Sequence, residues 1–250
     1  MTHNIQLVVL NVDGCLTAGK GNRLDVEEFI HIREWVDTHQ NTPVVLCTGR
    51  SQPYVEALLH LIGTYHKGIP NIVENGCFLY YAHIDEDIIV PNPAMKTAPE
   101  ELAAAKIAIL KDVAGIAKYE PGKEVCLSLN PTQEGLSVED LYARVREVAQ
   151  PYSDIVDITH SASAVDVTPK GINKGNALTV LSEKTGVPTA AMLGVGDTVG
   201  DMPMLEAVGT VACPANATED VRTYVTQRGG YVARQSDVCG VVEILHHYSD

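Results

Sequence analysis

The stretch LVVLNVDGCLT, residues 7–17, runs from an unbroken apolar segment into a turn that carries one amide, Asn11, and one carboxylate, Asp13. A continuous apolar run of strand length is typical of a strand buried on both faces of a parallel sheet. Such strands deliver their polar loops to the carboxyl edge of the sheet, where ligands bind. The stretch therefore predicts a central strand followed by a functional loop.

The rest of the chain alternates between apolar runs of strand length and longer segments with helical periodicity. This alternation is typical of β-α-β units, and it predicts an α/β fold with a doubly wound parallel sheet. The predicted strands are residues 5–12, 43–48, 71–75, 190–197, 210–214 and 230–234. The predicted helices include residues 26–39, which Asp25 caps, and residues 52–63, 174–186, 219–230 and 238–248.

The middle of the chain breaks this alternation. Residues 80–90 are typical of a hairpin and are followed by a helix at 99–115, a strand at 124–131, a helix at 138–150 and a strand at 154–167. Proline and glycine residues stand where linkers would lie. We expect a core domain made of residues 1–80 and 168–250, with an α+β cap domain inserted at 81–167.

Composition excludes several classes of protein. The 250 residues carry a formal net charge of −14, and the acidic residues are spread along the chain, so nucleic acid is not an expected partner. No apolar segment is long enough to span a bilayer, so no membrane partner is expected. The six cysteines have neither CxxC pairs nor zinc-site spacing, which favours reduced thiols in a cytoplasmic protein.

Four short segments at predicted strand ends or helix starts carry polar groups that could meet at one sheet edge. They are residues 11–14, residues 48–50, Lys174, and residues 196–201 with Asp197 and Asp201. Neighbouring carboxylates repel each other unless a hard cation neutralises them, which indicates Mg²⁺ with oxygen ligands. Mg²⁺ together with a lysine and a hydroxyl can bind a phosphate group, and glycine amides can add donors.

These four segments, in this order, resemble the motifs of the haloacid dehalogenase (HAD) superfamily of phosphohydrolases. The first motif of that family reads DxDGT, and here it is matched by residues 11–15, with Asn11 in the first position. Thr48 matches the second motif and Lys174 the third. The fourth motif, GDxxxD, is matched by residues 196–201. The resemblance covers the two core segments, and the insertion between them is similar to the family's large α+β cap.

The resemblance implies a role for each matched position. The residue at position 11 would attack phosphorus and form an aspartyl-phosphate, and Asp13 would act as general acid and base. Thr48 and Lys174 would stabilise charge on the phosphoryl oxygens. The implied metal ligands are Asn11, Asp13, Asp197 and Asp201, and the implied substrate contacts are Gly14, Gly49, Arg50 and Asn75.

Asn11 departs from the family pattern at the nucleophile. A neutral amide is a very poor nucleophile, so we expect this chain to turn over slowly or not at all. One explanation is an engineered change from aspartate, which the otherwise intact motifs favour. The alternatives are a natural pseudoenzyme that binds a phosphorylated metabolite without turnover, and, more remotely, a phosphomutase.

A closing cap would leave room only for a small phosphorylated metabolite. The resemblance is strongest to phosphoglycolate and sugar phosphatases, and the sequence does not separate phosphoglycolate from a sugar or sugar-acid phosphate. The cap positions that we expect near the substrate are Lys123, Glu124, Ser161, Ser163 and Lys170. An exposed strand edge of the cap could also pair with a second copy, which makes a homodimer a further expectation.

Overall fold

The computed structural model describes residues 4–19, 21–85, 88–161 and 163–249. The strands are β1 (Leu7–Leu10), β2 (Val44–Leu46), β3 (Asn71–Val73), β4 (Phe78–Tyr81), β5 (Ile88–Pro91), β6 (Ala117–Tyr119), β7 (Leu127–Pro131), β8 (Val156–His160), β9 (Val165–Pro169), β10 (Met192–Val195), β11 (Thr210–Cys213) and β12 (Tyr231–Val232). The helices are α1 (Val26–Thr38), α2 (Gln52–Ile62), α3 (Pro99–Asp112), α4 (Val138–Ala149), α5 (Lys174–Thr185), α6 (Met202–Ala207), α7 (Glu219–Gln227) and α8 (Asp237–His247).

The main sheet is parallel and has the strand order β12-β11-β10-β1-β2. β1 lies inside this sheet, between β10 and β2, and all four of its residues are buried. Val8 and Leu10 pack into one hydrophobic cluster with residues of α1, α2 and α8. Leu7 and Val9 pack into a second cluster with residues of α5, α6 and α7. The side chains of β1 thus alternate between two clusters that contain helices on opposite faces of the sheet, so the predicted doubly wound sheet is confirmed.

A small antiparallel sheet, β3-β4-β5, continues from this layer. Its strand β3 joins the main sheet through a parallel bridge between Cys47 and Ile72. The side chains of β4 enter both of the clusters described above. The predicted boundary between core and cap, at residues 80 and 81, falls inside β4.

A second antiparallel sheet has the order β6-β7-β9-β8 and is packed with α3 and α4 around a third hydrophobic cluster. This is the α+β unit that the middle of the sequence predicted. The single strand predicted at 154–167 is wrong, because the segment forms the two paired strands β8 and β9. The reversal between them is closed by the backbone N–H of Ser161, which donates to the carbonyl of Ala164 at 2.8 Å.

None of the helices in the described ranges combines the length and the apolar character that a bilayer crossing requires. The six cysteines are all unpaired, and five of them are buried. Burial raises the pKa of Cys47 and of Cys126 to about 12, so these thiols are neutral at physiological pH.

Candidate active site

Polar residues follow three neighbouring parallel strands at the carboxyl edge of the main sheet. Asn11 comes directly after β1, Thr48 lies just beyond β2, and Asp197 lies just beyond β10. β1 lies between β2 and β10, so the first half of the sheet extends to one side of β1 and the second half to the other. The strand order therefore reverses beside β1. Doubly wound sheets bind their ligands at this reversal. The fold therefore brings together residues that are almost two hundred positions apart in the sequence.

The side-chain amide of Asn11 lies at the centre of a buried polar cluster. Its Nδ2 donates hydrogen bonds to the carbonyl oxygen of Asp13 at 2.8 Å, to Oδ1 of Asp197 at 2.9 Å and to Oδ2 of Asp201 at 3.2 Å. Its Oδ1 accepts a hydrogen bond from Nζ of Lys174 at 2.9 Å. Each polar atom of the amide is therefore satisfied within the cluster.

Lys174 and Asp201 form a buried ion pair, with Nζ 2.6 Å from Oδ1. Lys174 is the first residue of α5, and Asn173 caps that helix by accepting from the backbone N–H groups of Gly175 and Asn176. Burial alone would lower the pKa of Lys174, but the charge of Asp201 outweighs it and raises that pKa above its usual value. Lys174 therefore carries a full positive charge inside the site.

Asp197 and Asp201 are also held by the main chain. The backbone N–H groups of Asp197 and Thr198 donate to Oδ2 of Asp201 at 3.0 and 3.1 Å. Burial, followed by the charge of Asp201, raises the pKa of Asp197 to about 8, although Asn11 and Lys174 act in the opposite direction. Two carboxylates this close and this buried need a cationic or hydrogen-bonding partner.

The donor set can be tested for its fit to Mg²⁺. The carbonyl oxygen of Asp13 and one oxygen each from Asp197 and Asp201 converge on a single point, the Nδ2 of Asn11. Hard oxygen ligands of this kind suit Mg²⁺. The described residues contain no cluster of three or more His, Cys, Asp or Glu side chains placed to hold a metal ion. A cation here would therefore depend on the main-chain carbonyl as well as on the two carboxylates.

Asp13 faces away from this cluster and pairs with Arg50. The Nε of Arg50 donates to Oδ2 of Asp13 at 2.7 Å, and Nη2 donates to Oδ1 at 2.6 Å. The hydrogen bonds with Asp13 raise the pKa of Arg50 further above its usual value, although burial opposes this. Between Asp13 and the cluster, Gly14 has a φ of +79°, and a Cβ at this position would collide with the carboxylate of Asp197.

The loops after β2 and β3 are joined by backbone hydrogen bonds. The N–H of Asn75 donates to the carbonyl of Thr48 at 2.9 Å, and the N–H of Glu74 donates to the carbonyl of Arg50 at 2.9 Å. Gly49 fits beneath Asn75, because a Cβ on Gly49 would lie 2.9 Å from Oδ1 of Asn75. These bonds hold Thr48, Gly49, Arg50 and Asn75 in one surface.

Glu74 connects this surface to the α+β unit. Its buried carboxylate accepts three backbone hydrogen bonds, from Glu124 at 2.8 Å, Val125 at 2.9 Å and Cys126 at 2.8 Å. Glu74 and Asn75 both have a positive φ, of 49° and 57°, which is costly for residues with a Cβ. The three hydrogen bonds offset that cost.

The opposite side of the site, which we call the cap wall, is formed by charged and hydroxyl groups of the α+β unit. These groups belong to Glu120, Lys123, Ser128 and Asp166. Nζ of Lys123 lies 3.0 Å from Oε2 of Glu120 and 4.0 Å from Oδ1 of Asp166. Ser128 lies between them, hydrogen-bonded to both Lys123 and Asp166. Glu120 also accepts from Nη1 of Arg50 at 3.4 Å, so both cations on this side of the site are paired with carboxylates.

A cavity of about 480 Å³ lies between these two walls. It is lined by most of the site residues predicted from the sequence: Asn11, Asp13, Gly14, Thr48, Gly49, Arg50, Asn75, Lys174 and Asp197. Asp201 lies directly behind them, fully buried. The roles assigned to these residues stay predictions, but the structure places them in one site.

Of the cap positions expected near the substrate, Lys123, Ser161 and Ser163 line the cavity. Glu124 and Lys170 do not line the cavity. Glu124 donates its backbone N–H to Glu74, and the half-exposed Lys170 pairs with Asp157 at 2.8 Å. The sequence reasoning missed Glu120, Ser128, Asn130 and Asp166, which do line the cavity. Ser128 and Asp166 occupy a paired register position on β7 and β9, and the mispredicted strand at 154–167 concealed that pairing.

Comparison with known proteins decides the family. A sequence profile of haloacid dehalogenase-like hydrolases matches residues 125–245. The phosphoglycolate phosphatase of Methanospirillum hungatei JF-1 is 31% identical over 252 residues, which cover 96% of this chain and 95% of that protein. The chain belongs to the haloacid dehalogenase (HAD) superfamily of phosphatases. The family resemblance drawn from the four motifs is thereby confirmed.

Solved structures show the same HAD fold over nearly the whole chain. A HAD/COF-like hydrolase from Plasmodium vivax aligns with a TM-score of 0.76 at 18% identity and covers 99% of this chain and 96% of its own. The sucrose-phosphatase from Synechocystis sp. PCC6803, solved in complex with sucrose and phosphate, aligns with a TM-score of 0.70 at 20% identity and covers 98% of both chains. The Rossmann-like HAD core with an inserted α+β cap is therefore the fold of this chain.

Proposed function

We propose that this HAD chain has the site of a magnesium-dependent phosphomonoesterase for a small phosphorylated metabolite, in which Asn11 replaces the nucleophilic aspartate. The observation that carries this proposal is the convergence of Asp13, Lys174, Asp197 and Asp201 on residue 11. The full-length relationship to a protein named as a phosphoglycolate phosphatase supports it. A cytoplasmic location and a homodimer stay predictions.

The residues suggest how an aspartate at position 11 would act. A carboxylate oxygen there would attack phosphorus and form an aspartyl-phosphate, while the Asp13 carboxyl gives a proton to the departing alkoxide. Asp13 would then accept a proton from the water that cleaves the acyl-phosphate. Lys174, which is buried and charged, would stabilise the negative charge on the phosphoryl oxygens, and Thr48 would add a hydroxyl donor. Mg²⁺ held by Asp13, Asp197 and Asp201 would supply further charge neutralisation when bound.

The amide of Asn11 removes the first of these steps. Its nitrogen lone pair is delocalised, and both of its polar atoms are occupied by hydrogen bonds to Asp13, Asp197, Asp201 and Lys174. The chain as it stands would therefore bind a phosphate ester without cleaving it. This leaves a second candidate function, that of a non-catalytic protein that binds a phosphorylated metabolite, and Asn11 is the observation that favours it.

The cap wall favours a hydroxylated alcohol over a carboxylic acid as the rest of the substrate. Arg50 and Lys123, the two cations on that side, are each already paired with a carboxylate. A substrate carboxylate would meet Glu120 and Asp166 there, and like charges in contact are costly. Hydroxyl groups, in contrast, could donate to these carboxylates. We therefore favour a sugar or polyol phosphate over phosphoglycolate.

The test is phosphate release by this chain and by Asn11→Asp, measured in parallel on small phosphate esters with Mg²⁺ and with a chelator. Asn41→Asp is the matched control for the change in charge, because Asn41 is exposed in the turn between α1 and β2 and does not line the cavity. Magnesium-dependent release by Asn11→Asp alone is the expected result.

Three other outcomes would contradict the proposal. Release by the unmodified chain would show that Asn11 does not prevent turnover. Binding of esters by both forms without release by either would favour the non-catalytic function. An isomerised phosphate ester without free phosphate would indicate a phosphomutase.

A further inference from the structure

We propose that the amide of Asn11 takes the place of the divalent cation, so that this site is assembled without a metal and binds one poorly. The inference rests on the proposed metal site but not on the substrate. Nδ2 of Asn11 is within hydrogen-bond distance of the three oxygens that would surround a cation. The two N–H groups of the amide carry partial positive charge and face these three oxygens.

The orientation of the amide follows from its neighbours. If the amide were turned over, Oδ1 would face the carbonyl oxygen of Asp13 and the carboxylates of Asp197 and Asp201. Nδ2 would then face the ammonium of Lys174, which has donors and no acceptor. Both contacts are repulsive, and Asn11 is only 6% exposed, so water cannot relieve them. The amide therefore has one stable orientation while the site holds no cation.

That orientation conflicts with a bound metal ion. A cation placed among the three oxygens would have to displace Nδ2, and Oδ1 would become a ligand only if the amide turned over. Turning it over would break the 2.9 Å hydrogen bond to Lys174 and bring two donors together. An aspartate does not meet this conflict, because one of its oxygens can accept from Lys174 while the other faces the cation.

Without a metal ion, asparagine is the more favourable residue at position 11. With Asn11, Lys174 is paired with Asp201, and the amide N–H groups donate to Asp197 and Asp201. With an aspartate at position 11, three buried carboxylates would share one lysine. Asn11 should therefore stabilise the metal-free site and weaken the metal-bound one.

The experiment compares this chain, Asn11→Asp and the control Asn41→Asp. Binding of Mn²⁺, as a spectroscopic substitute for Mg²⁺, is measured by electron paramagnetic resonance, and melting temperatures are measured in chelator and in Mg²⁺. We expect the unmodified chain to bind Mn²⁺ at least about tenfold more weakly than Asn11→Asp, equivalent to ~1.4 kcal/mol. In chelator, we expect Asn11→Asp to melt at least about 4 °C below the unmodified chain, and in Mg²⁺ we expect it to regain that difference.

Asn41→Asp makes the same change in charge outside the site, so it should resemble the unmodified chain in both measurements. Equal Mn²⁺ affinity of the unmodified chain and Asn11→Asp would overturn the inference and leave the proposed function standing. An equal melting temperature of these two forms in chelator would also overturn it. Failure of both forms to bind Mn²⁺ would overturn the inference and the proposed metal site together.

Discussion

Arg50 binds both carboxylate oxygens of Asp13, through Nε at 2.7 Å and Nη2 at 2.6 Å. A planar guanidinium matches a carboxylate in this two-point geometry, and a lysine ammonium cannot reproduce it. The pair fixes the direction in which Asp13 presents its carboxyl group to the cavity. Arg50 is therefore a positioning residue for the proposed general acid and base.

Replacing Arg50 with lysine should affect proton transfer more than phosphate binding. In the Asn11→Asp background, we expect Arg50→Lys to lower kcat for alkyl phosphates by about tenfold to a hundredfold, within the range that general acid catalysis contributes. An aryl phosphate with an acidic leaving group needs little proton donation and should lose much less. Equal losses for alkyl and aryl esters would show that Arg50 acts on the phosphate instead.

Lys174 should be essential for stability as well as for charge. Lys174→Met leaves Asp201 buried and without its cation, and breaking a buried pair in this way costs about 3–5 kcal/mol. We expect a correspondingly lower free energy of unfolding in urea at pH 7. The double variant Lys174→Met, Asp201→Asn should regain a large part of the loss. A double variant as unstable as Lys174→Met would mean that packing, and not the unpaired charge, causes the loss.

The charged cap wall predicts a measurable preference between two ligands of equal length. This chain should bind glycerol 3-phosphate more tightly than 3-phosphoglycerate, because the second places a carboxylate where the first has a hydroxymethyl group. Asp166→Asn should narrow the difference by about tenfold, or ~1.4 kcal/mol. Calorimetric titration checks both values, with inorganic phosphate as the reference ligand. Tighter binding of 3-phosphoglycerate by the unmodified chain would reverse the assignment.

Glu74 should control how firmly the cap strand is held. Glu74→Gln replaces one acceptor oxygen with a donor, so at least one of the N–H groups of residues 124–126 loses its partner. Hydrogen bonds to a charged group are worth about 1.5–3 kcal/mol. We expect faster amide hydrogen exchange at residues 124–126 and unchanged exchange in β1. Unchanged protection at residues 124–126 would contradict this.

The partly buried side chain of His66 lies outside the site and predicts that the stability of the fold depends on pH. Burial lowers the pKa of His66, and its Nε2 is buried without a hydrogen-bond partner. Below its unfolded value of about 6.5, the unfolded chain therefore binds a proton that the folded chain resists, so stability falls as the pH drops toward the lowered pKa. His66→Leu should reduce the change in melting temperature between about pH 5 and 7. An unchanged slope would assign the effect to other groups.

The sequence was sufficient to predict the residues that follow the central strands. The buried run at residues 7–10 and the runs before Thr48 and Asp197 each identify a strand by hydrophobicity alone, and parallel strands end at one edge. Local pattern therefore determined where these residues meet. The strand at 154–167 was mispredicted because Ser161 and its neighbours carry neither the glycine nor the proline that usually indicates a hairpin.

The contacts of the cap wall could not be predicted in the same way. Glu120, Lys123 and Asp166 come from separate segments, and their approach depends on how β6, β7 and β9 pair. The pairing of Arg50 with Asp13 is also a long-range contact. Such contacts are set by tertiary packing, about which the periodicity of a single segment carries no information. The sequence indicated that Arg50 and Asn75 lie near the substrate but not what they touch.

The three hydrogen bonds of Glu74 fix one edge of the cap, so the opposite edge is expected to move further when the cap opens. Because they anchor residues 124–126 beside Asn75, we expect an opening cap to rotate about that point. The largest displacement would then fall at the far side, where β8 lies beside residues 199–201. In such a rotation Asn75 would stay beside a bound ester, while Ser161 would move away from it and admit solvent. The ester would therefore leave from the side of the cavity opposite Glu74.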